Sequence, residues 1–275
     1  MSRINSTKIA FIGFGEVGQR FASDLMKRDD VVLSAFDIAF GKPGRGTDLE
    51  MAARSLAVTG RASAAEAGQG ADIVISAVTA DQTEAVAEQA AGWLRPGQLF
   101  VDVNSASPMT KQRAAGTIGA SGAHYVEAAV MAPVRAPGLR VAILAGGSVA
   151  EVAAVRLNAL GMNLTPVATS YGRASAIKLC RSIVIKGLEA LMVDCSAATK
   201  HFDVEAEVYA SLGASYPSID WRQLADDMSE RVATHGVRRA AEMREASDMV
   251  AEIGRNDALL RAVADAQERG AKKKS

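Results

Sequence analysis

The feature that most constrains this chain is a turn of the form G-x-G-x-x-G set between two strands. Residues 8–12, apolar from Ile9 to Ile12, are typical of a short buried strand, and the turn after them opens a helix. A second apolar strand, residues 31–36, ends at Asp37, nineteen residues after the last glycine of the turn. Strand, turn, helix, strand and acidic residue in this order predict a unit that binds a dinucleotide. The glycines of the turn are Gly13, Gly15 and Gly18.

Each part of the pattern has a physical reason. Gly13 permits the tight turn, Gly15 lets the backbone approach a pyrophosphate, and Gly18 lets helix and strand pack closely. The free N–H groups and the dipole at the helix start favour the phosphate charge. Asp37 can accept hydrogen bonds from both ribose hydroxyls. The cofactor site predicted from the sequence comprises Gly13, Phe14, Gly15, Glu16, Val17, Gly18, Asp37, Ala77 and Val78.

The acidic residue also bears on the choice between NAD and NADP. A carboxylate at Asp37 repels a 2′-phosphate, so the sequence favours NAD. Lys42 and Arg45 follow soon after and soften that preference. We therefore expect NAD as the preferred cofactor, with NADP as the alternative.

Composition excludes several classes of protein. The 275 residues are 49% hydrophobic, which suits one large domain or two moderate ones. Basic and acidic residues balance at 31 each, so charge gives no case for nucleic acid or a membrane surface. No apolar run approaches a membrane span and residues 1–7 lack a signal-peptide core, which predicts a cytoplasmic protein. A disulfide between Cys180 and Cys195 is not expected, because both lie in a helical stretch of a protein expected to be intracellular. A metal site is not expected either, because the histidines lack metal-ligand spacing: His124, His201 and His235.

The rest of the chain predicts two domains. Strand-like and helix-like segments alternate to about residue 165, including a weak strand at 56–59, and imply a mainly parallel sheet covered on both faces. Later segments are helical, with separate helices expected at 221–236 and 237–253. The expected fold is α/β: a Rossmann-type doubly wound sheet over residues 1–168, then an all-helical domain over 169–275. A helix over 174–199, about 39 Å long, suggests a spine for a homodimer.

Three further segments carry polar groups at places where a substrate can bind. Residues 101–108 end in Asn104-Ser105 and then Ser107-Pro108, where an amide and hydroxyls at a strand's carboxyl end can hold a carboxylate or hydroxyl. Ser107 before Pro108 is equally a good helix N-cap. The other two segments are residues 126–133 and residues 172–182.

These segments resemble the beta-hydroxyacid dehydrogenase family, which includes 3-hydroxyisobutyrate and 6-phosphogluconate dehydrogenases. The likeness is closest to a subgroup with a C-terminal domain of unassigned function. It implies that Lys178 is the catalytic lysine, and that Ser182 stands where the family has asparagine. A family serine-glycine-glycine stretch aligns with residues 131–133, where Pro133 lacks an N–H. A bulkier or less polar substrate with Met131 as a contact is therefore expected.

A family lysine-aspartate pair has no direct counterpart. It aligns with Ala241-Glu242, and Arg238 or Arg239 can replace the charge, with Arg239 as the candidate substrate contact. The alternative is a charged helix face with pairing between residues four apart. For Lys178 alone, a solvated helix face is the common alternative, because most lysines are exposed.

The sequence thus predicts an NAD(P)-dependent oxidoreductase acting on a 3-hydroxy acid or related hydroxylated carboxylate. Lys178 and Ser182 are the predicted catalytic residues. The predicted substrate contacts are Asn104, Ser105, Met131 and Arg239. Two alternatives remain: a reductase of imines or other carbonyl-like substrates on the same scaffold, and a non-catalytic dinucleotide-binding protein.

Overall fold

The structure, a computed structural model, describes residues 6–271. The chain divides into two compact units, Met1–Lys178 and Leu179–Ser275. Within the described residues no helix is long and apolar enough to cross a membrane. The predicted α/β fold followed by a helical region is confirmed.

The first unit is built on one sheet. Its strands are β1 (Thr7–Ile12), β2 (Val31–Phe36), β3 (Thr59–Gly60), β4 (Ile73–Ser76), β5 (Leu99–Asp102), β6 (His124–Val130), β7 (Ala142–Gly146) and β8 (Asn163–Ala168). Its helices are α1 (Glu16–Leu25), α2 (Arg45–Ser55), α3 (Ala64–Gly68), α4 (Thr83–Ala91), α5 (Pro108–Gly119) and α6 (Ala150–Ala159).

The strand order is β3-β2-β1-β4-β5-β6-β7-β8, and all neighbouring pairs are parallel except β6 with β7. Strand β1 therefore lies between β2 and β4, which is where the direction of the crossovers reverses. In such sheets ligands bind beyond the carboxyl ends of the strands at this reversal. The G-x-G-x-x-G turn follows β1 directly and so occupies that position.

Both faces of the sheet are buried. Along β1, Ile9 and Phe11 belong to one apolar core, and Ala10 and Ile12 belong to another. Because side chains alternate between the faces of a strand, the two cores lie on opposite faces of the sheet. This double burial explains why the parallel strands appear in the sequence as continuous apolar runs.

The prediction of a weak strand at 56–59 is wrong for residues 56–58. Helix α2 ends at Ser55, and Ala57 adopts φ 50°, so the chain turns there. Only Thr59–Gly60 joins the sheet, as β3 beside β2.

The helical region comprises α7 (Arg173–Phe202), α8 (Glu205–Ser215), α9 (Trp221–Glu252) and α10 (Ala258–Gly270). The prediction of two helices separated at residue 236 is wrong, because α9 is continuous over 32 residues. Gly236 is buried inside it, and a Cβ there would lie 2.1 Å from the carbonyl oxygen of Gln267. The glycine therefore allows α10 to pack closely on α9.

The sequence places the domain boundary between residues 168 and 169, whereas the division into compact units falls between residues 178 and 179. The intervening segment contains the first turn of α7. Backbone N–H groups of this turn donate to Glu127 on β6, so the turn packs with the sheet.

Candidate active site

Two of the three glycines in the turn are required by the fold itself. Gly13 has φ 89°, and a Cβ on it would lie 2.4 Å from the carbonyl oxygen of Ala77. A Cβ on Gly18 would lie 2.7 Å from the carbonyl oxygen of Gly13. A Cβ on Gly15, in contrast, would meet no atom of the described residues within 4 Å, apart from those of its chain neighbours. Gly15 thus borders open space, as expected where a pyrophosphate approaches the backbone.

Helix α1 begins at this open space. Its N-cap is Gly15, which supplies no side-chain hydrogen bond, so the leading N–H groups remain available to an anion. Glu16 lies in the first turn, where its charge opposes an incoming phosphate, but Arg135 pairs with it at 2.7 Å. Val17 packs partly against the core of the sheet. These features fit the dinucleotide site predicted from the sequence.

Asp37 connects the end of β2 to the glycine turn. One carboxylate oxygen accepts from the Phe14 N–H at 2.8 Å, and the other accepts from the Ala39 N–H at 3.0 Å. Each oxygen keeps a further lone pair for a ribose hydroxyl. The ring of Phe14 is fully buried in the core, so Phe14 reaches the site only through its backbone.

A cleft of about 420 Å³ lies beside the end of β2. The basic side chains that line it are Arg54 and Arg61. Arg54 approaches Glu50 at 4.0 Å, and Arg61 forms no ion pair with any described residue. The other lining residues are Phe40, Gly41, Glu50, Ala53, Gly60 and Ala62.

Asn104 holds two loops together. Its side-chain oxygen accepts from the Val78 N–H at 2.7 Å, and its side-chain nitrogen donates to the Ser76 hydroxyl at 3.0 Å. The residue is only 4% exposed. The predicted substrate contact at Asn104 is therefore engaged in fixing the loop after β4, which includes the predicted cofactor residues Ala77 and Val78.

Ser105 and Lys178 are brought together at the carboxyl edge of the sheet. The Lys178 amine donates a hydrogen bond to the Ser105 hydroxyl, although the residues are 73 positions apart in the sequence. Ser105 follows β5, and Lys178 lies in the opening turns of α7. An amine and a hydroxyl in contact can hold a substrate oxygen and exchange a proton with it.

The loop that carries Ser105 is held by a buried ionic network that the sequence analysis missed. Asp102, the last residue of β5, pairs with Lys111 at 2.8 Å, and both side chains are 1% exposed. It also accepts from the Tyr125 hydroxyl at 2.6 Å and from the Asn104 N–H at 2.9 Å. Burial, together with the charge of Asp102, raises the pKa of Tyr125 well above its usual value, so the phenol remains a donor.

The predicted helix cap at Ser107 is confirmed. Its hydroxyl accepts from the Thr110 N–H at 3.2 Å, and Pro108 begins α5. Lys111 lies one turn further along this helix, which turns its amine towards Asp102. The cap thus fixes the start of the helix that neutralises the buried carboxylate.

The segment that follows β6 is held by hydrogen bonds to β7 and to α1. The Met131 N–H donates to the Ala142 carbonyl at 2.9 Å, and Pro133 has no N–H to offer a substrate. Further along, Asp24 accepts from the Leu139 N–H at 2.9 Å. Burial alone would raise the pKa of Asp24, but hydrogen bonds from Lys27, Leu139 and Arg20 hold it at about 2.

Ser182 and Arg239 take part in buried pairs of the second unit. The Ser182 hydroxyl accepts from the Lys186 amine at 2.9 Å, and that amine also pairs with Glu242 at 2.7 Å. Arg239 pairs with the fully buried Glu189 at 2.8 Å. Arg238 approaches Glu242 at 3.8 Å, which agrees with the alternative reading of this stretch as a helix face with pairing four residues apart.

Comparison with known proteins gives this geometry a family. Residues 8–168, more than half of the chain, match the model described as the NAD binding domain of 6-phosphogluconate dehydrogenase. The chain belongs to the beta-hydroxyacid dehydrogenase family. Residues 200–270 match a second model, Domain of unknown function (DUF1932). Members of the family are dehydrogenases and reductases that use a nicotinamide cofactor.

Several relatives illustrate the family. A conserved hypothetical protein from Sinorhizobium meliloti is 38% identical, with a TM-score of 0.80 over 98% of this chain and 90% of its own. A conserved protein of unknown function with structural similarity to 3-hydroxyacid dehydrogenases is 31% identical, with a TM-score of 0.74 over 96% and 99%. The mitochondrial 3-hydroxyisobutyrate dehydrogenase of Drosophila melanogaster is 30% identical over 64% of this chain and 53% of its own.

The same fold also occurs in a reductase of another class. A reductive aminase from Aspergillus terreus in complex with NADPH has a TM-score of 0.62 over 96% of this chain and 93% of its own. Its identity to this chain is 17%, so the likeness is one of fold.

Proposed function

We propose that the protein transfers a hydride between a nicotinamide cofactor and a 3-hydroxy acid or related hydroxylated carboxylate. The observation that carries the proposal is the hydrogen bond between Lys178 and Ser105. It lies at the same carboxyl edge of the sheet as the G-x-G-x-x-G turn. A basic group beside a dinucleotide site is what oxidation of an alcohol requires.

The residues present fit the cofactor. Gly15 faces open space, the start of α1 has uncapped N–H groups, and Asp37 keeps acceptor capacity beside the turn. The pyrophosphate would lie at Gly15 and the adenosine ribose at Asp37. When bound, the nicotinamide supplies or accepts the hydride.

Lys178 serves as the general acid and base in this proposal. In oxidation, its neutral amine takes the proton of the substrate hydroxyl while the carbon loses a hydride and becomes a carbonyl. In reduction, the ammonium returns that proton to the carbonyl oxygen. Ser105 orients the reacting oxygen, and Asn104 positions the Ser105 loop through its bonds to Ser76 and Val78.

The substrate is proposed to be bulkier or less polar than a short hydroxy acid. The Met131 N–H is already used by Ala142, and Pro133 has none, so this segment offers few donors to a carboxylate. The thioether of Met131 suits an apolar substrate group. Arg239 and Ser182 remain predicted contacts, although their present partners in the second unit would have to be exchanged.

A substrate panel tests the proposed reaction. We expect one or more 3-hydroxy acids, sugar acids or aromatic hydroxy acids to produce NADH or NADPH, measured by absorbance, with a requirement for the hydroxyl on the reacting carbon. Turnover of cyclic imines but of no hydroxy acid would support the imine reductase instead. Cofactor binding without turnover of either class would contradict catalysis.

Cofactor preference is a separate prediction. We expect NADH to bind more tightly than NADPH, because the buried Asp37 carboxylate is held at the ribose position by two backbone N–H groups. Fluorescence titration with both reduced cofactors measures the ratio. Arg61→Ala is the matched variant, because Arg61 lines the adjacent cleft. Tighter binding of NADPH by the unaltered protein would overturn the preference.

The homodimer and the cytoplasmic location stay predictions from the sequence. Light scattering of the full chain decides the first, and a monomer would contradict it.

A further inference from the structure

Glu127 is a buried carboxylate with an unusual set of partners. It lies on β6, is 0% exposed, and its side chain accepts hydrogen bonds from the start of α7. One oxygen accepts from the Gly172 N–H at 2.6 Å. The other accepts from the N–H and the hydroxyl of Ser175, each at 2.5 Å. Glu127 therefore caps a helix from which it is distant in the sequence.

The charge of Glu127 is balanced by the helix. Within residues 6–271 no basic side chain forms an ion pair with it. A carboxylate at a helix N-terminus is stabilised by the unpaired N–H groups and by the helix dipole. Gly172, which precedes the helix, has no side chain to serve as a cap. The carboxylate of β6 replaces that missing local cap.

This cap lies one turn before Lys178. Residues three apart lie on the same side of a helix, so fixing Ser175 also fixes the base of the Lys178 side chain. The amine of Lys178 then meets the Ser105 hydroxyl.

The Ser105 side of that contact is fixed by strand β5, which neighbours β6. Asp102 and Glu127 are register partners on the parallel strands β5 and β6. Asp102 holds the N–H of Asn104, the residue before Ser105. Two adjacent buried carboxylates thus set the two sides of one hydrogen bond.

We propose that Glu127 is a positioning residue for Lys178, and that its carboxylate fixes the first turn of α7 so that the amine meets Ser105. The inference rests on the proposed function in so far as Lys178 is the acid–base group. Glu127 does not touch the reacting atoms, but turnover depends on the position that it gives to the Lys178 amine.

Glu127→Gln tests the proposal in the full chain. The amide keeps nearly the same shape but loses the charge and one of the two acceptor oxygens. We expect kcat to fall about tenfold to a hundredfold, with the KM for substrate and the affinity for NADH changed less than about threefold, since a small displacement of a reacting group has effects of this size. Amide hydrogen exchange in residues 172–178 should become faster.

Ile118→Val is the matched control. Ile118 is fully buried on α5 in the core on one face of the sheet, and its shortening lowers stability without touching α7. It should lower the Tm while leaving kcat and the exchange of residues 172–178 unchanged. Where Glu127→Gln does not fold, Ser175→Ala removes one donor to Glu127 and should shift exchange and kcat in the same direction by less.

The outcomes separate this inference from the proposed function. Equal changes in Glu127→Gln and Ile118→Val, or an unchanged kcat in Glu127→Gln, would show that Glu127 is only structural. If no substrate is found, labelling of Lys178 with acetic anhydride, followed by mass spectrometry, replaces kcat. Altered labelling in Glu127→Gln but not in the control then supports the positioning role even though the proposed reaction has failed. Unchanged labelling contradicts the positioning role.

Discussion

Lys178→Met is expected to lower kcat by at least about a hundredfold, which is the usual contribution of a group that transfers a proton in the rate-limiting step. Binding of NADH should be unchanged, because Asp37 is held on the glycine turn by a backbone N–H rather than by this amine. The measurement is steady-state kinetics with the substrate found in the panel, together with fluorescence titration of NADH.

Two further variants give this result its meaning. Lys178→Arg keeps the positive charge but cannot lose its proton in the working pH range. It should therefore be nearly as inactive as Lys178→Met if proton transfer is the role of Lys178. Lys200→Met, an exposed position on the same helix, should retain full activity. Near-normal turnover in Lys178→Met would remove the acid–base assignment, and high activity in Lys178→Arg would indicate a purely electrostatic role.

Lys111→Met is expected to lower the free energy of unfolding by about 3–5 kcal/mol, the range found when one partner of a buried ion pair is removed. Asp102 would keep the Tyr125 hydroxyl and the Asn104 N–H as donors but would have no cation beside it. Chemical denaturation followed by circular dichroism measures the loss.

The matched control lies on the same helix. Arg113 pairs with Glu84 at 2.6 Å, but both side chains are about half exposed. Arg113→Met should therefore cost less than about 1 kcal/mol. The double variant Asp102→Asn with Lys111→Met removes the buried charge altogether and should recover part of the lost stability. Equal losses in Lys111→Met and Arg113→Met would contradict a large contribution from burial.

Local chemistry explains which parts of the molecule could be predicted from the sequence. The turn from Gly13 to Gly18 and the strands around it follow from spacing, apolar runs and the conformational freedom of glycine. The cap at Ser107 follows from two neighbouring residues, and the structure contains it. The mainly parallel sheet follows from the alternation of strands and helices.

Long-range contacts were harder to predict. Glu127 caps α7 across 45 and 48 positions, and no local pattern marks a carboxylate that will serve a distant helix. Asp102, Lys111 and Tyr125 likewise meet only in the folded sheet. The family resemblance pointed to Ser182 as a catalytic residue, but it could not show that the hydroxyl of Ser182 accepts from Lys186. The close approach of Gln267 to Gly236 inside α9 is another contact that the sequence does not reveal.

The three glycines of the cofactor turn respond to different demands. A methyl group at Gly13 or Gly18 would collide with a backbone oxygen of the protein itself, whereas one at Gly15 would enter open space. A homologue that no longer bound a dinucleotide would still need Gly13 and Gly18 in order to fold, whereas Gly15 could be substituted. Among homologous sequences, substitution of Gly15 would therefore indicate that dinucleotide binding has been lost while the fold is retained.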